Sequence, residues 1–123
     1  MRILIVDDDE TFCQLLAEIL EGRGIQVTWT TDGLAGYEKS LYESYDVFIV
    51  DQRMPLVLGT ELVEDIKKDN PKAKIILISA FADRALQNMS HMLGVPLLSK
   101  PFSAQDLLEA VECIAGAAKA EGN

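Results

Sequence analysis

Four short apolar runs of this chain each end in residues suited to holding a cation or a phosphate. Ile3-Leu4-Ile5-Val6 runs into Asp7-Asp8-Asp9-Glu10, Val47 to Val50 into Asp51, Ile75 to Ile78 into Ser79-Ala80, and Val95 to Leu98 into Ser99-Lys100-Pro101-Phe102. Carboxylates gathered in one crevice repel one another, and a bound cation relieves that cost. Hard oxygen ligands select Mg²⁺, with Mn²⁺ as the alternative, and Mg²⁺ commonly joins one or two carboxylates to a phosphoryl oxygen. Asp7, Asp8 and Asp51 are the candidate ligands. A lysine amine and a serine hydroxyl on the same rim complete the set that phosphoryl transfer needs, which neutralises phosphoryl oxygens and aligns a nucleophile. Asp51 is the candidate nucleophile.

Each of these residues also has an ordinary reading. An acid just past a strand often caps the next helix, and Asp9 or Glu10 is expected to do so. A lone lysine before proline is usually a solvated turn residue, and a lone serine usually a structural hydroxyl. It is the joint placement at four run ends that favours chemistry.

Positioning them requires strands that finish side by side. The four runs have strand length and lack polar alternation, as expected of parallel strands covered on both faces. Gly24 to Trp29 alternates and reads as a fifth strand nearer an edge. Between the runs, apolar residues recur at three and four. Phe12, Leu16, Ile19 and Leu20 mark one helix, closed by Gly22-Arg23-Gly24. Leu34, Tyr37 and Leu41 mark a second after Asp32. Leu62, Val63 and Ile66 mark a third between Gly59 and Asn70-Pro71. Ala85, Leu86, Met89 and Leu93 mark a fourth after Asp83, and a fifth opens with the capping-box start Ser103-Ala104-Gln105-Asp106. Alternating strands and helices predict a doubly wound α/β domain whose ligand site lies beyond the carboxyl ends of the strands. Adjacent strands are about 4.8 Å apart, so neighbouring ends would bring Asp7 or Asp8 close to Asp51.

The chain has 123 residues, a formal charge of −9, a pI near 4.4 and 49% hydrophobic content. That length suits one core, because a chain of this size buries roughly two-thirds of its unfolded surface. The acidic balance argues against direct nucleic-acid contact, which needs clustered Lys and Arg. No apolar run approaches the roughly 20 residues of a membrane span, and no secretory leader pattern precedes Ile3. The expectation is a cytoplasmic domain over 1–118, with 119–123 a tail or the start of a linker. Cys13 and Cys113, far apart in helical patterns, read as reduced packing residues.

The ordered set Ile3 to Asp9, Val50-Asp51-Gln52-Arg53-Met54-Pro55 with Gly59, Ile78-Ser79-Ala80 and Lys100-Pro101-Phe102 resembles the receiver domain of two-component response regulators over about residues 2–118. The resemblance implies a flavodoxin-like (βα)5 three-layer sandwich with strand order 2-1-3-4-5, an order taken from that family and not from spacing. It further implies that Asp51 accepts a phosphoryl group from a sensor histidine kinase or phosphotransfer protein. Asp8 and Asp51 would bind Mg²⁺ directly, Asp7 through water, and Arg53 through its backbone carbonyl. Ser79 and Lys100 would contact the phosphoryl oxygens, with Lys100-Pro101 a cis peptide. The domain would act as a regulatory switch, not an enzyme on other substrates. Its helix 4, strand 5 and helix 5 face would control an effector, and a homodimer on phosphorylation is one output this allows.

Two departures stand out. Receivers usually carry Tyr or Phe three residues before the lysine, where this chain has Leu97, so its output should rely more on loop and helix 4 movement. Arg53 and Phe81 are large at positions flanking the path of the hydrolytic water, which implies slow loss of the phosphoryl group. His91 reads as a plain helix residue, Met89 and Met92 as packing, and Trp29 as a packed rim residue. Two rival readings stay open. Asp7-x-Asp9-x-Thr11 resembles the nucleophile motif of haloacid-dehalogenase-type phosphatases, with Asp7 the nucleophile and Asp9 the acid/base, and a receiver-like module used only for association needs no phosphorylation.

Overall fold

The computed structural model describes the backbone of residues 1–121 and the side chains of residues 1–116. Five strands alternate with five helices: β1 (Arg2–Val6), α1 (Glu10–Glu21), β2 (Gln26–Thr30), α2 (Gly33–Tyr42), β3 (Val47–Asp51), α3 (Gly59–Asp69), β4 (Ile75–Ser79), α4 (Arg84–Leu93), β5 (Leu97–Ser99) and α5 (Ala104–Glu121). The strands form one parallel sheet in the order β2-β1-β3-β4-β5, the expected doubly wound arrangement, with β2 at an edge.

The apolar runs are continuous because both sheet faces are covered. Leu4, Val6, Phe48, Val50, Ile75 and Leu77 pack beneath Leu62, Val63 and Ile66 of α3 and Leu86 of α4. Alternate residues Ile3, Ile5, Val47, Ile49, Ile76 and Ile78 meet Cys13, Leu16 and Leu20 of α1 and Leu107 and Val111 of α5. The helices start on side-chain caps. The carboxylates of Asp9, Asp32 and Asp83 accept the backbone N–H groups of Phe12, Leu34 and Leu86. Ser103 and Asp106 cap each other reciprocally.

Several helix-face expectations are corrected. Leu34 and Leu41 of α2 are exposed, and the inner face is instead Gly33 and Gly36. The helix approaches β1 so closely that a Cβ on Gly36 would lie 2.8 Å from the Val6 side chain. In α4 the buried residues are Leu86 and Ser90, while Met89 and Met92 are exposed. Cys113 is exposed too, because two residues beyond Val111 points away from the core; Cys13 is buried and packed as expected. The last strand begins at Leu97, after Pro96, which has no N–H to give the ladder. The boundary expected at 118 falls inside α5, and residues 122–123 of the expected tail lie outside the described residues.

Net negative charge is concentrated toward one end of the strands. Asp7, Asp8, Asp9, Asp51 and Asp83 sit at the carboxyl edge of the sheet. At the opposite edge the cations Arg2, Arg23, Lys39, Lys67, Lys68, Lys72 and Lys74 are interspersed with Glu21, Glu43, Asp46 and Asp69, so charge there is close to balanced.

Candidate functional site

Strand register brings the chemistry together. Val6 lies opposite Val50, Asp51 opposite Ile78, and Ser79 opposite Ser99. Asp7, Asp51, Ser79 and Lys100 therefore emerge in adjacent positions along one edge. Carboxylate oxygens of Asp7, Asp8 and Asp51 lie within 4.8 Å of one another. This is the cluster anticipated from the sequence, and three converging carboxylates make a hard-oxygen donor set that fits Mg²⁺.

Lys100 is the counter-charge. Its Nζ donates to Asp7 Oδ2 at 2.8 Å and lies 3.2 Å from Asp51 Oδ1. Asp7 is fully buried and Asp51 is 5% exposed, whereas Asp8 reaches solvent. Burial works against the Lys100 charge, but the hydrogen bond to Asp7 and the two carboxylates outweigh it and hold the amine above the ordinary lysine range. Asp51 gains less. Burial and then the Asp7 charge push its carboxyl up to about 6, against the pull of Lys100, because that ammonium is shared between two acids. Asp7 Oδ1 also accepts the Asp9 N–H at 3.0 Å. Lys100-Pro101 is cis, as the resemblance implied.

Asp51 is fixed by the segment that follows it. Gly59 N–H donates to Gln52 O, and Gln52 Oε1 accepts the Thr60 N–H at 2.8 Å, so the start of α3 folds back onto the end of β3. A Cβ on Gly59 would lie 2.3 Å from the Asp51 carbonyl oxygen and 2.8 Å from Gln52 Cα. Backbone cannot swing aside as a side chain can. Gly59→Ala is expected to cost about 1–3 kcal/mol of stability, read from the urea midpoint; an unchanged midpoint would show that α3 relaxes freely.

Ser79 is buried and its Oγ accepts the Phe81 N–H at 2.9 Å, which ties the hydroxyl to the loop leading into α4. The Arg53 guanidinium lies 5.3 Å from the centroid of the exposed Phe81 ring, so both large residues stand at the mouth of the site. Asp9 is turned into the α1 cap, which leaves the phosphatase-like reading without its acid/base. His91 is exposed on α4, away from the acids, as anticipated.

The part played by Phe12 at the site was not legible from its sequence position. Its ring lies 4.3 Å from Lys100 Nζ and stacks edge-on against Phe102 at 5.7 Å, forming a cation–π floor under the ammonium. Helical periodicity marked it only as apolar. Cys13 is likewise tied to the site, donating from Sγ to the Asp7 carbonyl; burial foremost pushes its thiol up to about 12, which leaves it unreactive.

Comparison with known proteins points the same way. Residues 3–112 match the family described as the response regulator receiver domain. The response regulator receiver protein CpdR of Brucella abortus is 34% identical over 112 residues, covering 90% of this chain and 93% of the relative. Some other relatives are about twice as long as the part this chain matches. Among solved structures, a CheY-like receiver domain protein from Methanospirillum hungatei superposes with a TM-score of 0.94 at 30% identity, over 98% of this chain and 97% of that one. The response regulator TrrA of Thermotoga maritima, solved in complex with Mg²⁺ and BeF, gives 0.84 at 31%, over 92% and 97%. With the family matched over nearly the whole length and its acids, serine and lysine meeting at one sheet edge, this chain belongs to the receiver domains of two-component response regulators.

Proposed function

We propose that residues 1–118 form a phosphorylation-driven switch of the cytoplasm in which Asp51 is the phosphoacceptor. The observation that carries this reading is the Lys100 ammonium held between Asp7 and Asp51 beside a three-carboxylate cluster. Asp51 attacks the phosphorus of a phosphohistidine on a sensor kinase or phosphotransfer protein. The Asp51 oxygen to phosphorus bond forms, the phosphorus to nitrogen bond breaks, and its electron pair stays on the imidazole. Above about pH 6 the Asp51 carboxylate is ionised and ready to attack. Lys100 and Ser79 then take the phosphoryl oxygens. Asp8, Asp51, the Arg53 carbonyl and, through water, Asp7 would hold Mg²⁺, or Mn²⁺ in its place, and that ion supplies charge neutralisation to the transferring group.

Switching follows from the Ser79 bond. A hydroxyl drawn toward the phosphoryl group gives up the Phe81 N–H, which frees the loop leading into α4. Leu97 is only half-buried in a three-residue β5, so the face of α4, β5 and α5 is changed mainly through that loop and α4. The output is contact with an effector protein or domain, or with a second copy, and not with nucleic acid.

The test is intact mass after incubation with acetyl phosphate. One phosphoryl adduct is expected with Mg²⁺, none with EDTA, and the modified peptide should contain Asp51; an adduct on Asp7 would restore the phosphatase-like reading. Hydrolysis should be slow, because the large Arg53 and Phe81 side chains stand together at the mouth of the site, where they would hinder an approaching water. Phe81→Ala is expected to shorten the phosphoryl lifetime several-fold in a decay series after donor removal, and equal lifetimes would remove Phe81 from that role.

A further inference from the structure

The exposed large apolar side chains in the second half of the described residues are Phe81, just before α4, and Met89 and Met92 on one side of α4; none comes from β5 or from the described part of α5. Leu86 and Ser90 turn inward, while Ala85, Met89 and Met92, spaced at four and three, form a second stripe on the same helix. Ala85 and Met89 line a groove of about 630 Å³ whose other wall is Met54, Pro55 and Leu58 of the loop between β3 and α3, with Phe81 at its end. Packing of this domain does not need these residues outside. Met89 is 43% exposed, Leu58 46% and Phe81 64%, so the lining itself presents apolar surface to solvent.

The groove's charge indicates the occupant. Asp8 and Asp83 line it against one lining cation, Arg53, whose guanidinium lies over the Phe81 ring, and just outside the lining Glu61 accepts the Leu58 N–H. The chain as a whole carries −9. Apolar floor and acidic rim suit an amphipathic helix with Leu-like side chains on one face and Lys or Arg beside them. We propose that the groove between the β3–α3 loop and α4 docks such a basic amphipathic helix of a partner protein, making the α3 side of α4 an output surface distinct from the face of α4, β5 and α5. Phe81 links the groove to Ser79 through its N–H, so phosphorylation of Asp51 changes the groove's affinity. That regulation rests on the proposed phosphoryl transfer; docking itself does not.

The experiment is fluorescence anisotropy with a labelled helical peptide of Leu and Lys at amphipathic spacing, and with the same peptide carrying Glu for Lys. The Lys peptide is expected to bind the full chain, and Met89→Lys to weaken it about tenfold. Leu15→Lys, which makes the same charge change on exposed α1, should leave affinity nearly unchanged. No binding, equal binding of the Glu peptide, or equal effects of the two substitutions would overturn the groove assignment. Beryllofluoride with Mg²⁺ should shift the affinity at least about threefold. Formation of the adduct without a shift would overturn the link through Ser79. If no adduct forms, the phosphoryl-transfer reading fails, and the substitution arm still decides the groove.

Discussion

Asp51→Asn is expected to abolish the phosphoryl adduct and, in the same protein, to make the metal-free fold more stable. The loss follows from removing the attacking oxygen. The gain follows from the location of Asp51 in a buried crevice beside Asp7, which pushes its carboxyl from 3.8 to about 6. The folded chain keeps this proton to higher pH than the unfolded chain does, so ionisation works against folding. Stability contributed by the protonated form is therefore present below about pH 4, falls as pH rises to about 6, and stays lost above it, by about 3 kcal/mol in all. Asparagine is neutral throughout and escapes that fall. The pull of Lys100 is already contained in that shift, so the gain is up to about 3 kcal/mol at about pH 8 and vanishes near pH 4. Urea midpoints of both proteins across this range, in EDTA, test it. A variant less stable than the parent at pH 8 would mean that the ion pair outweighs the burial of the charge.

Lys100→Met should do the reverse and weaken both chemistry and fold. Methionine fills a similar volume over the Phe12 ring but leaves Asp7, which is fully buried, and Asp51 facing each other without the ammonium. Removing one partner of a buried pair typically costs 3–5 kcal/mol, and here a single cation serves two acids, so a loss of about 4 kcal/mol is expected at neutral pH. Added Mg²⁺ should recover part of it, since a cation in the cluster performs the same neutralisation and binds only the folded chain. Phosphorylation should not recover. Without the amine on the phosphoryl oxygens its rate is expected to fall about a hundredfold even at saturating Mg²⁺. A metal-free loss below about 1 kcal/mol would show that Asp7 or Asp51 simply takes up a proton in the variant.

The sheet and the site were readable from the sequence for one reason. Four apolar runs of strand length without polar alternation fit strands covered on both sides, although only Leu97 and Leu98 of the fourth enter its strand, and the position just after each run is where an open α/β sheet places its ligand. Asp7, Asp51, Ser79 and Lys100 needed no further information beyond strand order. The helices were less readable, because periodicity reports which residues are apolar and not how near a helix comes to the sheet. On α2 the leucines were the visible signal, yet Gly33 and Gly36 make the close contact and leave Leu34 and Leu41 outside. On α4 the pattern merged two stripes, one buried around Leu86 and one exposed through Met89 and Met92. Phe12 was hidden for a related reason, since its contact with Lys100 spans 88 positions of sequence and depends on how α1 leans across the strand ends.

The carboxyl edge gathers Asp7, Asp8, Asp9, Asp51 and Asp83, whereas at the other edge Arg2, Arg23 and most lysines offset Glu21, Glu43, Asp46 and Asp69, so the net negative charge is concentrated at the site end of the molecule. In the field of a charged partner such a body turns before it touches. A partner presenting positive charge meets the carboxyl edge, with Asp51 and the α4 groove, more often than random tumbling would allow, and the wrong end is turned away. The bias acts on the rate of productive collision and not on the strength of the final contact. It extends only about a Debye length, roughly 8 Å at physiological salt, so raising the ionic strength should slow association while leaving dissociation nearly untouched.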